Sequence, residues 1–336
     1  MSESDRRPDG RAQSWPTLGE LGEDAVLAEV LAALGPQPGD VPVAAGDDAA
    51  VLATPSGSVV VTTDSMVRGL DWRDDWSTGD DVGQKVVRQN LADVAAMGAV
   101  PTGLVLALAA DPATPMAWVT ELARGVGRTS RAAGAAVIGG DLSGAPAGTV
   151  MVGVTAMGDL QGRDPVRRSG ARPGDVVAVA GTLGRSGGGL ALYLDGTDQG
   201  GGEAADELRE VHRTALGAPL AAGPVAAKAG ASAMIDVSDG LVQDLGRVAA
   251  ASAVAVDLER AALTAVAAGP LNEVHGPERA LHHVLAGGEE HALVATFAPV
   301  AVPTGWQVIG RVLDGPPGVT VDARAVEAAG WDHFRR

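Results

Sequence analysis

Carboxylates recur in this sequence where apolar stretches end. Asp47 and Asp48 stand together in "GDDAAVL" (46–52), with no Lys or Arg within ten residues on either side. Thr62, Thr63 and Asp64 close the β-branched run "SVVVTTD" (58–64), Asp141 follows "VIGG", and Asp236, Ser238 and Asp239 follow "AMI". Asn90 and Asp93, spaced i, i+3 in the helical stretch between, share one helix face. Singly, each is ordinary: an Asp after Gly makes turns, and "SDG" is a common cap or hairpin turn. Together they predict a site, because strands deliver their ends to one edge of a sheet and the loops there carry chemistry. Clustered carboxylates repel one another and do not all stay ionised unaided. Mg²⁺ resolves that repulsion: it takes oxygen ligands, keeps several waters and is shared between one or two carboxylates and substrate phosphates. The pattern therefore predicts metal-assisted handling of a phosphate-bearing small molecule.

The segment "GTLGRSGGG" (181–189) offers backbone N–H groups ahead of a helix expected from about Leu190, an arrangement that suits phosphate. It fits neither the Walker pattern, since no Lys-Ser/Thr follows, nor the Rossmann fingerprint. Lys85 and Lys228 are the only lysines, which argues against a lysine of the P-loop kind. Arg167 and Arg168 either reach a nucleotide phosphate or form a solvated charge pair. The 6 histidines are scattered, and none is assigned to catalysis.

These groups need elements to hold them. Apolar periodicity predicts helices over 24–34, 79–99 (with Ser77 or Thr78 as cap) and 115–133, and strands over 58–64, 102–109, 135–141 and 149–158. After the turn-rich "RRSGARPGD" (167–175), strands are expected at 176–181, 233–236, 254–258, 291–297 and 305–312. A helix is expected from about Leu190, a loop over 195–203, then helices to about 229 and over 240–252. The expected fold is a two-domain α+β / α/β chain. A disordered tail covers 1–16, an N-terminal sheet-plus-helices domain 17–158, and a C-terminal α/β domain 159–336. The 336 residues, 46% apolar, suffice for a core in each domain. Acidic residues outnumber basic ones 42 to 25, a net charge of −17, which argues against a nucleic-acid backbone or an anionic membrane as partner. The absence of cysteine excludes disulfides, thiolate metal sites and Cys nucleophiles. No apolar run approaches the ~18–20 residues of a membrane span, and the N-terminus lacks a signal core, so a cytoplasmic location is expected.

The motifs, taken in order, resemble the thiamine-monophosphate kinase family, within the superfamily of aminoimidazole-ribotide synthetase-like ATP enzymes. The resemblance spans roughly residues 18–334 and rests on "GDDAAVL", "TTDSMV", "QNLADVAAMGAVP", "IGGDLS", "RSGARPGD", "IDVSDGLVQDLG", "LAGGEEHAL" and "GWDHF". It implies phosphoryl transfer from ATP to thiamine monophosphate, several Mg²⁺ ions, and a homodimer built through the N-terminal domains. By motif, Asp48, Thr62, Thr63, Asp64, Asp93, Asp141, Asp236 and Asp239 resemble metal ligands. Gly140, Asp141, Arg168 and Ser238 resemble nucleotide contacts, and Glu289 and Trp331 substrate contacts. Where many relatives carry "NHF", with its His at the substrate, "GLDW" places Asp71. "GGED" becomes Gly-Gly-Glu289-Glu290, and the tyrosine after it becomes His291. The implied transfer is direct and in line, with no covalent intermediate and no general base, because the acceptor is already an anion. The competing readings are another ATP enzyme of this architecture, of the selenophosphate synthetase-like or hydrogenase-maturation kind, or a non-catalytic divalent-cation-binding protein. The former chemistries typically lean on a cysteine or selenocysteine.

Overall fold

The computed structural model describes residues 16–21, 23–37, 53–197, 200–326 and 330; Asp47, Asp48 and Trp331 lie outside the described residues. Two short helices, α1 (Leu18–Leu21) and α2 (Glu23–Leu34), precede β1 (Val60–Val67), α3 (Gly79–Ala96), β2 (Val100–Ala110), α4 (Met116–Ala132), β3 (Ala136–Gly144) and β4 (Val150–Asp159). The strands form one sheet in the order β1-β4-β2-β3, antiparallel except for β2 with β3. Alternation sorts its faces. Met66, Leu104, Leu106, Leu108, Val152 and Val154 are buried under α3 and α4. The opposite, outer face leaves Val61 57% and Met151 41% exposed, and no described helix covers it.

Helix α3 starts where its cap predicts. Thr78 Oγ1 accepts from the Asp81 N–H at 3.2 Å, and Asp81 Oδ2 accepts from the Thr78 N–H at 2.9 Å, a reciprocal capping box. Gly79 and Gly83 let α3 lie backbone-to-backbone on α4, since a Cβ at either would strike the Trp118 or Leu122 carbonyl. Its other sides pack on the sheet and on the C-terminal half, so α3 is the beam shared by both halves.

The C-terminal half comprises β5 (Val176–Ala180), α5 (Arg185–Leu194), α6 (Gly202–Thr214), α7 (Ala222–Ala229), β6 (Ala233–Asp236), α8 (Leu241–Ser252), β7 (Ala255–Leu258), α9 (Arg260–Val266), α10 (Pro270–Ala286), β8 (Leu293–Phe297), β9 (Gln307–Leu313), β10 (Gly318–Val321) and β11 (Arg324–Ala325). Its sheet runs β11-β10-β7-β9-β5-β8-β6. Each half has its own core, and a third cluster seals the seam, placing Ala95 and Ala96 of α3 with Phe297, Met234 and Trp306. This is the expected two-domain α/β architecture. Several elements differ from the sequence reading, α5, α9 and α10 among them. Helix α5 begins at Arg185, so the glycines expected in a loop lie inside it. A Cβ at Gly189 would run into the Leu208 carbonyl of α6, so these glycines serve close helix packing. Helices α9 and α10 were not expected. Gly276 (φ 72°) and Pro277 interrupt the pattern, while Leu271, Ala280, Leu281 and Val284 anchor both parts of α10 in the core. No described helix is long and apolar enough to cross a membrane.

Candidate active site

A cleft of about 450 Å³ opens between the halves. Asp64 of β1, Asp93 of α3, Asp236 at the end of β6, and Ser238 and Asp239 beyond it all line it. So do Asp71, Arg168, Glu289 and His291. The sequence order of these groups spans most of the chain, and the seam brings them together.

Strand β1 sets the first of them. Thr62 and Asp64 alternate onto the face toward α3. Thr62 Oγ1 donates to Asp93 Oδ2 at 2.7 Å. The Asp64 N–H donates to Asn90 Oδ1 at 2.9 Å, and Asn90, fully buried, donates in turn to the Val86 carbonyl at 2.7 Å. The i, i+3 pair on α3 thus divides its work: Asn90 fixes the backbone of β1, and Asp93 enters the cleft. Thr63 points to the outer face, where its hydroxyl donates to the Val154 carbonyl at 3.0 Å. Gly140 and Asp141 do not line the cleft. They sit on β3, the edge opposite β1, where Asp141 is exposed and accepts from Ser143 Oγ at 2.9 Å.

The "SDG" turn is held by a residue the motif reading passed over. Asp244, with no exposed surface, accepts from the Ser238 and Asp239 N–H groups, both at 3.0 Å. Arg247 ties Asp244 to Asp239, 2.5 Å from each. Gly240 has φ 120°, and a Cβ there would crowd the Ala286 carbonyl, so only glycine fits. The "GGEEH" loop is zipped onto this turn: the Glu289 N–H donates to Ser238 O at 2.7 Å and the His291 N–H to Val237 O at 2.8 Å. Glu289 and His291 both adopt left-handed backbone, φ 57° and 55°, a costly conformation for such residues. It turns Glu289 into the cleft and Glu290 away from it. Glu290 accepts from Thr182 Oγ1 at 2.6 Å and from the Ser186 N–H at 2.8 Å, so a carboxylate already serves the start of α5. The Gly-rich segment is therefore not an open phosphate cradle. Asp71, in the turn after β1, accepts from the Val67 N–H at 2.6 Å.

Charge is crowded here. Burial, and next the Asp236 carboxylate with Asp64 adding, pushes Asp93 up to about 7 against the opposing hydrogen bond from Thr62. Burial raises Asp244 to about 6. His291 Nδ1 lies 3.2 Å from Asp236 Oδ2; burial acts to lower its pKa, but that carboxylate outweighs it and the net shift is upward. His291 is a site residue that sequence reasoning missed, its only signal being its place after "GGEE". Among the described residues no three carboxylate or imidazole groups converge on one point to hold an ion unaided. The donor set is oxygen-rich, crowded and incomplete, which fits a cation that fills its shell with water and phosphate.

The crowding makes a prediction. Asp93 has a folded pKa above the unfolded ~3.9, so its stabilising protonation is lost as pH rises through about 7. Freed of divalent cations, the protein should melt higher at about pH 6.5 than at about pH 8, and Asp93→Asn should flatten that slope. A thermal-melt series in chelator checks this; a slope that Asp93→Asn leaves unchanged would contradict it.

The two halves match known families. Residues 46–160 match the AIR synthase related protein N-terminal domain and residues 172–322 the AIR synthase related protein C-terminal domain. The class that fold and cleft define is thus the AIR synthase-like two-domain protein. A thiamine-monophosphate kinase from Mycobacterium tuberculosis (strain CDC 1551 / Oshkosh) is 45% identical over 330 residues, 96% of this chain and 95% of that one. The crystal structure of thiamine-monophosphate kinase from Stenotrophomonas maltophilia K279a superposes with TM-score 0.76 at 31% identity, covering 90% of this chain and 96% of that one. AaThiL complexed with AMPPCP and TMP superposes with TM-score 0.74 at 28% identity, covering 94% and 98%. The chain belongs to the thiamine-monophosphate kinase family.

Proposed function

We propose that this protein transfers the γ-phosphoryl group of ATP directly to the phosphate of thiamine monophosphate, giving thiamine diphosphate and ADP. The observation that carries the reading is the convergence of Asp64, Asp93, Asp236 and Asp239, from both domains, on one cleft that also holds Arg168 and Glu289. A phosphate oxygen of the acceptor attacks the γ-phosphorus as the bond to ADP breaks. The acceptor oxygen is already anionic, so no base is needed, and the barrier is the approach of two polyanions. Mg²⁺ bound among these carboxylates supplies the neutralising charge. Asp64, Asp93, Asp236 and Asp239, with Asp48 and Thr62 from their motifs, are its proposed ligands. Arg168 and Ser238 face the nucleotide, and Glu289, Asp71 and Trp331 the substrate. The acidic, cysteine-free composition suits a cytoplasmic enzyme. A coupled assay of ADP release tests the reading: release should require both thiamine monophosphate and Mg²⁺. Release that ignores thiamine monophosphate, or none at all, would contradict it.

Asp141, Gly140 and Thr63 join this site through a second copy. They share the far edge or outer face of the N-terminal sheet, which carries exposed Val61 and Met151. Two such faces stacked about a two-fold axis parallel to the strands put β3 of one copy over β1 of its partner. Asp141 then approaches the partner's β1, the edge strand that carries Asp64 into its cleft.

Trp331 makes a further prediction. Thiamine carries a cationic thiazolium and a flat pyrimidine, both suited to an indole face. A cation–π contact is worth roughly 0.5–2 kcal/mol, so Trp331→Ala should raise KM for thiamine monophosphate roughly three- to thirtyfold. KM for ATP should hold and Trp331→Phe should recover part of the loss. A lower melting temperature with both KM values raised alike would mark Trp331 as a packing residue.

A further inference from the structure

Lys85 heads the large side chains of the described residues that are fully buried, at 2% exposure, and the reading above does not use it. It sits on α3 among Val82, Val86 and Val87, each fully buried. An ammonium in such surroundings is costly unless it is paired. Its Nζ lies 2.8 Å from Glu289 Oε1 and 3.5 Å from the backbone carbonyl of Asp71. Those are the two described residues placed against the substrate. Lys85 belongs to the N-terminal half and Glu289 to the C-terminal half, so the pair closes across the seam. Glu289 has limited support of its own. Its backbone is left-handed, its side chain is 36% exposed to the cleft, and its other oxygen has His212 Nδ1 at 3.4 Å. Burial, and next the charge of Lys85, lowers His212 to about 3, so that imidazole is neutral.

We propose that Lys85 is the positioning residue for substrate recognition: its ammonium holds the Glu289 carboxylate aimed into the cleft, and steadies the Asp71 turn beside it. Recognition then depends on α3 being docked on the Gly288–His291 loop. Lys85 itself does not touch the substrate. The inference rests on Glu289 and Asp71 facing thiamine monophosphate, as proposed above. A pair that merely staples the domains predicts something different. Neutral replacements of both partners would restore all that one replacement loses, because no charge stays buried alone.

The test compares Lys85→Met, Glu289→Gln and the double variant, reading KM for each substrate and the melting temperature. Lys85→Met should raise KM for thiamine monophosphate at least about tenfold and leave KM for ATP within about threefold. The double variant should regain the melting temperature lost by Lys85→Met, yet keep the raised KM of Glu289→Gln with no further increase. If Lys85→Met fails to fold, the double variant against Glu289→Gln alone still decides. A further rise in KM, a KM restored together with stability, or equal rises for ATP and thiamine monophosphate would overturn the inference and leave the kinase reading standing. Wild-type protein without turnover would overturn the kinase reading, and this inference with it.

Discussion

Asp64→Asn should lower turnover by about 10³-fold or more, and Asp236→Asn should do the same from the other domain. Each change removes one carboxylate charge from the cleft, where metal-borne charge stabilisation is worth several kcal/mol and ~1.36 kcal/mol is a decade in rate. At Asp64 the geometry leaves little else to change. The Asp64 backbone is fixed by Asn90, and an asparagine side chain keeps the shape. Asp64 and Asp236 both push the Asp93 pKa upward, so either replacement should let Asp93 ionise more readily; Asp64→Asn should not lower the metal-free melting temperature, whereas Asp236→Asn also gives up the buried contact with His291 Nδ1 at 3.2 Å. At Asp64, loss of rate with retained or improved stability is the signature of a ligand; loss of both is that of a structural residue. Asp48→Asn should behave likewise on its motif. Near-wild-type turnover of the Asp64 and Asp236 variants at limiting Mg²⁺ would remove the carboxylate cluster from the mechanism.

Co-expressing Asp64→Asn and Asp141→Asn chains should rebuild activity that neither variant has alone. In a mixed dimer, the Asp141→Asn protomer keeps its own Asp64 and receives Asp141 from its partner, so one of the two sites is whole. With random pairing, half the dimers are mixed, and turnover should return to roughly a quarter of wild type. If Asp141 served the cleft of its own chain, every site in the mixture would lack one carboxylate and activity would stay at the level of the parents. The measurement thus decides why a motif aspartate lies on the edge strand away from the cleft.

Motif residues were legible where local chemistry dictates their place. Thr78 caps α3 because a hydroxyl followed three residues later by a carboxylate can close a capping box wherever it occurs. The period-2 alternation of β1 sends Thr62 and Asp64 one way and Thr63 the other, which adjacency in "TTD" hides. The two cores were legible from apolar pattern alone, since each half buries its own residues. Long-range pairing was not. Nothing near Lys85 in the chain announces Glu289, and nothing near Ser186 announces Glu290, which turned an apparent phosphate loop into a satisfied helix start. Gly187, Gly188 and Gly189 misled because glycine serves a loop and a close helix contact equally well, and only the neighbouring helices α6 and α10 tell them apart. Asp244 was missed for a related reason: its role is to accept two N–H groups of its own turn, a geometry set by the fold of "VSDG" rather than by spacing.

Direct transfer between two phosphates in the shared cleft is tested by following one phosphorus atom. ATP made chiral at its isotopically labelled γ-phosphoryl group, incubated with thiamine monophosphate and Mg²⁺, should yield thiamine diphosphate that carries the label with inverted configuration. Retained configuration, label trapped on the protein, or label released only as inorganic phosphate would contradict it.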